Sequence, residues 1–175
     1  VAVTGVQTCA LPISSRGNRA SPSRPRVHDP PSGDHRARQG NSRPPRKVRY
    51  ISLAEALIVA ESVTALDIVT LTRSSRLNPL DSALHAPQAS FDGIELYPDF
   101  VDKVAVLAVR IVKNHPLLDG NKRLSWGCLN MFVELNGGQL HAEVDDAVAA
   151  MFSVASGEID EIEFSTWLNG RLRQS

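Results

Sequence analysis

The run Asn114-His-Pro-Leu-Leu-Asp-Gly-Asn-Lys-Arg123 sets the strongest limit on what this chain can fold into. Pro116 disfavours helical geometry at His115, and Gly120 is a poor helix-interior residue, so a helix arriving from upstream must stop near Asn114. That helix is signalled by Pro98, with Asp99 and Asp102 complementing its dipole. Val101, Val104, Ala105, Ala108, Ile111 and Val112 make its apolar face. Downstream, Leu124, Cys128, Leu129, Phe132 and Leu135 line a second helix, which Asn136-Gly137-Gly138 ends. Between the two lie an imidazole, a carboxylate, an amide and two cations, just ahead of a helix N-terminus. Free backbone N–H groups and the positive end of the dipole make such a place fit to hold an anion.

The remaining folded sequence is also helical in pattern. Ser52-Leu-Ala-Glu55 is a capping box ahead of the stripe Leu53, Ala56, Leu57, Ala60 and Val63. Asn78, Pro79 and Asp81 read as N-cap, first residue and first-turn acid of a short helix stopped by Pro87. Asp92-Gly93 is a turn signal between short apolar pieces from Phe91 to Tyr97, which suits a small hairpin or flap. A helix over 144–155 stops at Gly157. The last opens on Asp160-Glu-Ile-Glu163, with Ile159 and Phe164 as a hydrophobic staple and Trp167, Leu168 and Leu172 as its packing face. There are no repeats and no alternating strand series. The expected fold is all-α: a compact bundle of about six helices with a small β-hairpin flap.

A formal net charge of zero conceals two unlike parts. Residues 1–47 hold 9 Lys+Arg against 2 Asp+Glu, and residues 48–175 hold the remaining 10 and 17 of the chain's 19 of each. Residues 14–47 are rich in Arg, Ser, Pro and Gly and cannot bury enough apolar surface to offset chain entropy, so disorder is expected there. Val3-Thr-Gly-Val-Gln-Thr-Cys-Ala-Leu-Pro-Ile13 resembles the translation of a sequencing-library adapter. We read residues 1–47 as a non-native extension and 48–175 as the domain, with Val48 as a candidate start. The acidic domain argues against nucleic-acid binding. No stretch approaches the ~20 apolar residues of a membrane span. Cys9 and Cys128 form no metal-spaced pair, which favours a reduced, cytoplasmic protein. His85 and His141 lack partners at zinc spacing. Trp126, Trp167 and Cys128 are expected in the core.

Taken together, the loop residues have the parts that phosphoryl chemistry needs. His115 can accept a proton from an attacking hydroxyl near neutral pH. Asp119 is an oxygen ligand for a hard ion such as Mg²⁺, and Gly120 allows close backbone approach to a ligand. Asn121, Lys122 and Arg123, in the first helical turn, can converge on phosphate oxygens. Each feature alone has a plainer reading: a helix-end histidine as a cap, Asp-Gly-Asn as an ordinary turn, Lys-Arg as a solvated face.

The stretch from His115 to Arg123 resembles the signature of the Fic/Doc superfamily, His-Pro-Phe-x-Asp/Glu-Gly-Asn-Gly/Lys-Arg, and the likeness extends over residues 48–173. Lys122 matches the death-on-curing (Doc) branch, where Fic adenylyltransferases usually carry Gly. Their second Arg, three residues on, is Trp126 here. The resemblance implies a small helical bundle with a hairpin flap beside the site. It implies His115 as general base, Asp119 holding Mg²⁺, and Gly120, Asn121, Lys122 and Arg123 binding the phosphates of ATP. In the Doc branch the γ-phosphoryl group passes to a Ser/Thr hydroxyl of elongation factor Tu, and a cognate antitoxin, its disordered tail folding into a groove, restrains the toxin. Two other readings stand beside it: an AMP-transferring Fic enzyme, and a non-catalytic helical binding domain. Leu117 departs from the usual Phe, and no Ser/Thr-x-x-x-Glu-Gly/Asn self-inhibiting helix occurs in the chain.

Overall fold

Ser52 and Glu55 satisfy each other's backbone N–H groups at the head of α1 (Leu53–Thr64) in the computed structural model, which describes residues 47–74 and 76–174. Ser52 N–H donates to Glu55 Oε2 at 2.9 Å and Glu55 N–H to Ser52 Oγ at 3.3 Å, the reciprocal pair that the sequence requires. The bond from the Ser52 backbone, and then that from its hydroxyl, holds the Glu55 carboxyl below its usual range. Apart from Lys47, the expected extension over 1–47 lies outside the described residues.

The next element was not expected. Helix α2 (Ile68–Ser74) is rich in β-branched residues, which are weak helix formers. It forms because Asp67 accepts hydrogen bonds from Thr70 N–H at 3.0 Å and Thr70 Oγ1 at 2.7 Å, and because Leu71 is buried. In α3 (Leu77–His85) the start also differs. Arg76 precedes the helix, Asn78 and Pro79 fall inside its first turn, and Asn78 is not the cap. Proline is tolerated there because first-turn N–H groups have no intrahelical partner. Pro87 ends the helix as expected, in a 3₁₀ turn over Ala86–Gln88.

The hairpin forms. Strands β1 (Ser90–Phe91) and β2 (Ile94–Glu95) pair antiparallel about Asp92 and Gly93, whose φ values of +50° and +76° are those of a type I′ turn. Helix α4 (Phe100–Asn114) starts two residues later than Pro98 suggests. It is also buried further round than one face: every residue from 103 to 109 is buried, with Ile111 and Val112. Such a helix must be surrounded, and α4 packs against α3, α5 and α7 at the centre of the domain.

Helix α5 (Asn121–Leu135) follows the polar loop. Strand β3 (Gly138–Leu140) then leads into α6 (Val144–Ser156), α7 (Glu161–Asn169) and β4 (Leu172–Gln174). β3 and β4 pair antiparallel, Leu140 opposite Leu172, so Leu172 packs from a strand and not from the last helix. Seven α-helices are described where about six were expected, α2 being the addition. Phe132, Phe164, Leu107 and Ile111 are fully buried, and Cys128 lies among them. Burial pushes the Cys128 thiol up to about 12, so it behaves as an inert hydrophobe. The tryptophans are half-buried, Trp126 meeting Trp167 edge-on at 6.4 Å.

Candidate active site

Helix α4 ends as Pro116 demands. His115 takes up a left-handed conformation with φ +45° and stands exposed at the C-terminus of α4. Asn114 Nδ2 donates to the Pro79 carbonyl at 2.9 Å, and Arg76 N–H donates to the Pro116 carbonyl at 2.8 Å. Both bonds tie the loop to α3. Leu117, where the resembled signature has Phe, is buried and joins the core. Leu118, beside it, is almost wholly exposed.

Asn121 is the brace of the loop. Its side-chain oxygen accepts from Leu117 N–H and its amide nitrogen donates to the Leu117 carbonyl, both at 2.9 Å. These bonds fix which way the amide faces, and its Nδ2 then lies 3.5 Å from His115 Nδ1. That contact is too long to lock the imidazole tautomer, though it sets the side of the ring that faces the loop. With its amide engaged, Asn121 has its backbone N–H left to offer an anion.

Gly120, at φ +88°, turns the chain into α5. A Cβ there would lie 3.2 Å from Thr64 Cγ2 and 3.5 Å from Arg123 Nη2, so glycine serves both conformation and space. The N–H groups from Gly120 to Arg123 form the unpaired N-terminus of α5. Asp119 is fully in solvent, with Arg123 Nη2 at 3.5 Å from its carboxylate. Lys122 extends toward α6, its Nζ 4.5 Å from the Phe152 ring centroid.

His115, Asp119, Gly120, Asn121, Lys122 and Arg123 all line one cleft of about 230 Å³, together with Val112, Leu118 and Ala155. The six residues singled out in the sequence therefore share one space. The hairpin does not share it. Buried Lys103, in the first turn of α4, pairs with Glu95 at 2.8 Å and holds β2 there. Twelve residues of helix, about 18 Å of rise, separate that anchor from His115. The segment bordering the loop is the α1–α2 connection, where Thr64, Leu66 and Leu71 line a second space with Leu118 and Asp119.

Sequence reasoning also missed an apolar groove of about 650 Å³ between α1, α5 and α6, walled by Val63, Trp126, Val148, Met151 and Phe152. Its signal was present: Val148 and Phe152 stand four apart on α6, half or more exposed. Among the described residues no helix is long and apolar enough to cross a membrane, and no group of three or more His, Cys, Asp or Glu is placed to hold a metal ion.

A sequence model of the Fic/DOC family matches residues 34–133. The protein called Toxin Doc from Mycolicibacterium smegmatis is 42% identical over 83 residues, which are 46% of this chain and 64% of that protein. The match thus spans less than two thirds of that relative's length.

Proposed function

Because this chain belongs to the Fic/DOC family, we propose that it is a Doc-type toxin: a protein kinase that moves the γ-phosphoryl group of ATP to a Ser or Thr hydroxyl of elongation factor Tu and so arrests translation. The observation that carries this reading is the convergence of His115, Asp119, Lys122 and Arg123 on one cleft at the N-terminus of α5. The likeness to a protein named Toxin Doc supports the toxin role.

The chemistry follows from those positions. The target's oxygen bonds to the γ-phosphorus while the bond from that phosphorus to the β,γ-bridging oxygen breaks, and ADP leaves. His115 takes the hydroxyl proton as the new bond forms. Lys122, Arg123 and the free N–H groups of Gly120 to Arg123 hold the phosphate oxygens. Asp119 would hold Mg²⁺, which supplies charge neutralisation at the phosphates. One exposed carboxylate, completed by phosphate oxygens and water, is a donor set that Mg²⁺ accepts.

Two positions favour phosphoryl over AMP transfer. Lys122 stands where Fic adenylyltransferases usually have Gly. Trp126, where their second Arg would be, lines the apolar groove and meets Trp167. The groove itself suits a cognate antitoxin, whose amphipathic segment would lay its apolar face along Val148, Met151 and Phe152.

Incubating the purified chain with a bacterial lysate and ATP labelled at the α or the γ position tests the reaction. Protein-bound label from the γ position alone is expected. Label from the α position alone would replace the kinase with an AMP transferase.

A further inference from the structure

Lys122 lines two spaces at once. One is the cleft that it shares with His115; the other is the apolar groove between α1, α5 and α6. Its ammonium lies 4.5 Å from the centroid of the Phe152 ring, well within the range of a cation–π contact. Phe152 lines the groove and not the cleft; the α6 residue that reaches the cleft is Ala155, about one turn further on. Among the described residues no carboxylate lies within ion-pair distance of Lys122, whereas Arg123 has Asp119 at 3.5 Å. The ring is thus the partner of the lysine charge, and it stands on the groove side.

We infer that Phe152 is a positioning residue for Lys122: it holds the ammonium on the groove side of the α5 N-terminus until a polyphosphate in the cleft draws it off the ring. This inference rests on the phosphate-binding reading of the cleft given above. A charge-assisted bond to a phosphate oxygen is stronger than an exposed cation–π contact, so the ring does not prevent binding. It lowers affinity by the fraction of molecules in which the lysine is held aside. Phe152 is 57% exposed, which places the contact at the weak end of its range and makes the position tolerant of substitution.

The test is a calorimetric titration of the full chain, its Phe152→Leu variant and its Phe152→Trp variant, with Mg-ATP and with inorganic tripolyphosphate. Tripolyphosphate has neither base nor sugar, so a difference measured with it cannot arise from an adenine packing against position 152. The expected result is affinity about two- to fivefold tighter in Phe152→Leu, from loss of an exposed cation–π contact. In Phe152→Trp it should be about twofold weaker, because indole is the better cation–π partner. Proton NMR of the Lys122 ε-CH₂, assigned by its loss in Lys122→Arg, gives a second readout. It should be shifted upfield by the ring in the native chain, unshifted in Phe152→Leu, and moved toward the unshifted position by tripolyphosphate. Binding that is equal in all three proteins, or weaker in Phe152→Leu, would overturn the inference while leaving the phosphate-binding reading intact. If neither ligand binds any of the three, that reading fails and the inference falls with it.

Discussion

At the scale of single residues, the site depends on one residue's backbone being held in an uncommon conformation by another's side chain. His115 sits at φ +45°, which costs a non-glycine residue on the order of 1 kcal/mol. The Asn121 amide, bonded twice to Leu117, keeps the loop in that shape. His115→Ala should lower phosphoryl transfer by about 10²–10⁴-fold, the usual yield of a general base. Because the ring is exposed, its urea midpoint should stay where it is, and growth arrest on expression should disappear. Asn121→Ala should behave differently. It leaves the buried Leu117 N–H without a partner, so a loss of about 1–3 kcal/mol in urea denaturation is expected together with the loss of activity. The residue types of this loop were legible because Pro116 and Gly120 dictate where helix stops and starts. The work of Asn121 was not: its partner lies four residues back in a loop whose path no periodicity specifies. The contact of Lys122 with Phe152 spans thirty residues and exists only once α6 is packed on α5.

At the scale of elements, the helices read most clearly are those with local start and stop chemistry. The capping boxes at Ser52 and Asp160 are both formed, and Gly157 ends α6 in the left-handed conformation. Where tertiary burial overrides local preference, the sequence misled. Helix α2 runs against the propensity of Ile68, Val69, Thr70 and Thr72, and is held by the Asp67 cap and by Leu71 in the core. Leu172 fits a helical stripe, yet the chain leaves α7 after Asn169 and pairs Leu172 with Leu140, far away in sequence. The hairpin was read correctly from Asp92-Gly93, but its place, at the end of α4 away from His115, depends on the buried Lys103. The approach of α1 to α5 gives a prediction at this scale. A Cβ at Gly127 would lie 2.5 Å from Val59 Cγ1, a buried and stiff side chain. Gly127→Ala should therefore cost about 1–3 kcal/mol by overpacking, and Val59→Ala in the same chain should restore part of the loss. Chemical denaturation of the two single variants and the double variant measures both.

At the scale of the whole molecule, cleft and groove are two faces of one helix N-terminus, with Lys122 and Arg123 lining both. On the proposed reading, a toxin that acts on a large protein and is silenced by another needs two such surfaces, and the groove would be the second. Val148→Asn would put an uncharged polar group among Val63, Met151 and Phe152, with no new charge to draw Lys122 from the cleft. It should leave phosphoryl transfer unchanged while weakening rescue of growth by the co-expressed cognate antitoxin, because an amide buried without partners opposes docking of an apolar face. Growth assays with and without the antitoxin read this directly. What we propose for the cleft is narrower, namely that it phosphorylates elongation factor Tu. Intact-protein and peptide mass spectrometry of elongation factor Tu, after expression of the chain and of its His115→Ala variant, tests it most directly. One phosphoryl group on a Ser or Thr is expected with the native chain and none with the variant. An added AMP, or an unmodified factor in cells whose growth has stopped, would contradict it.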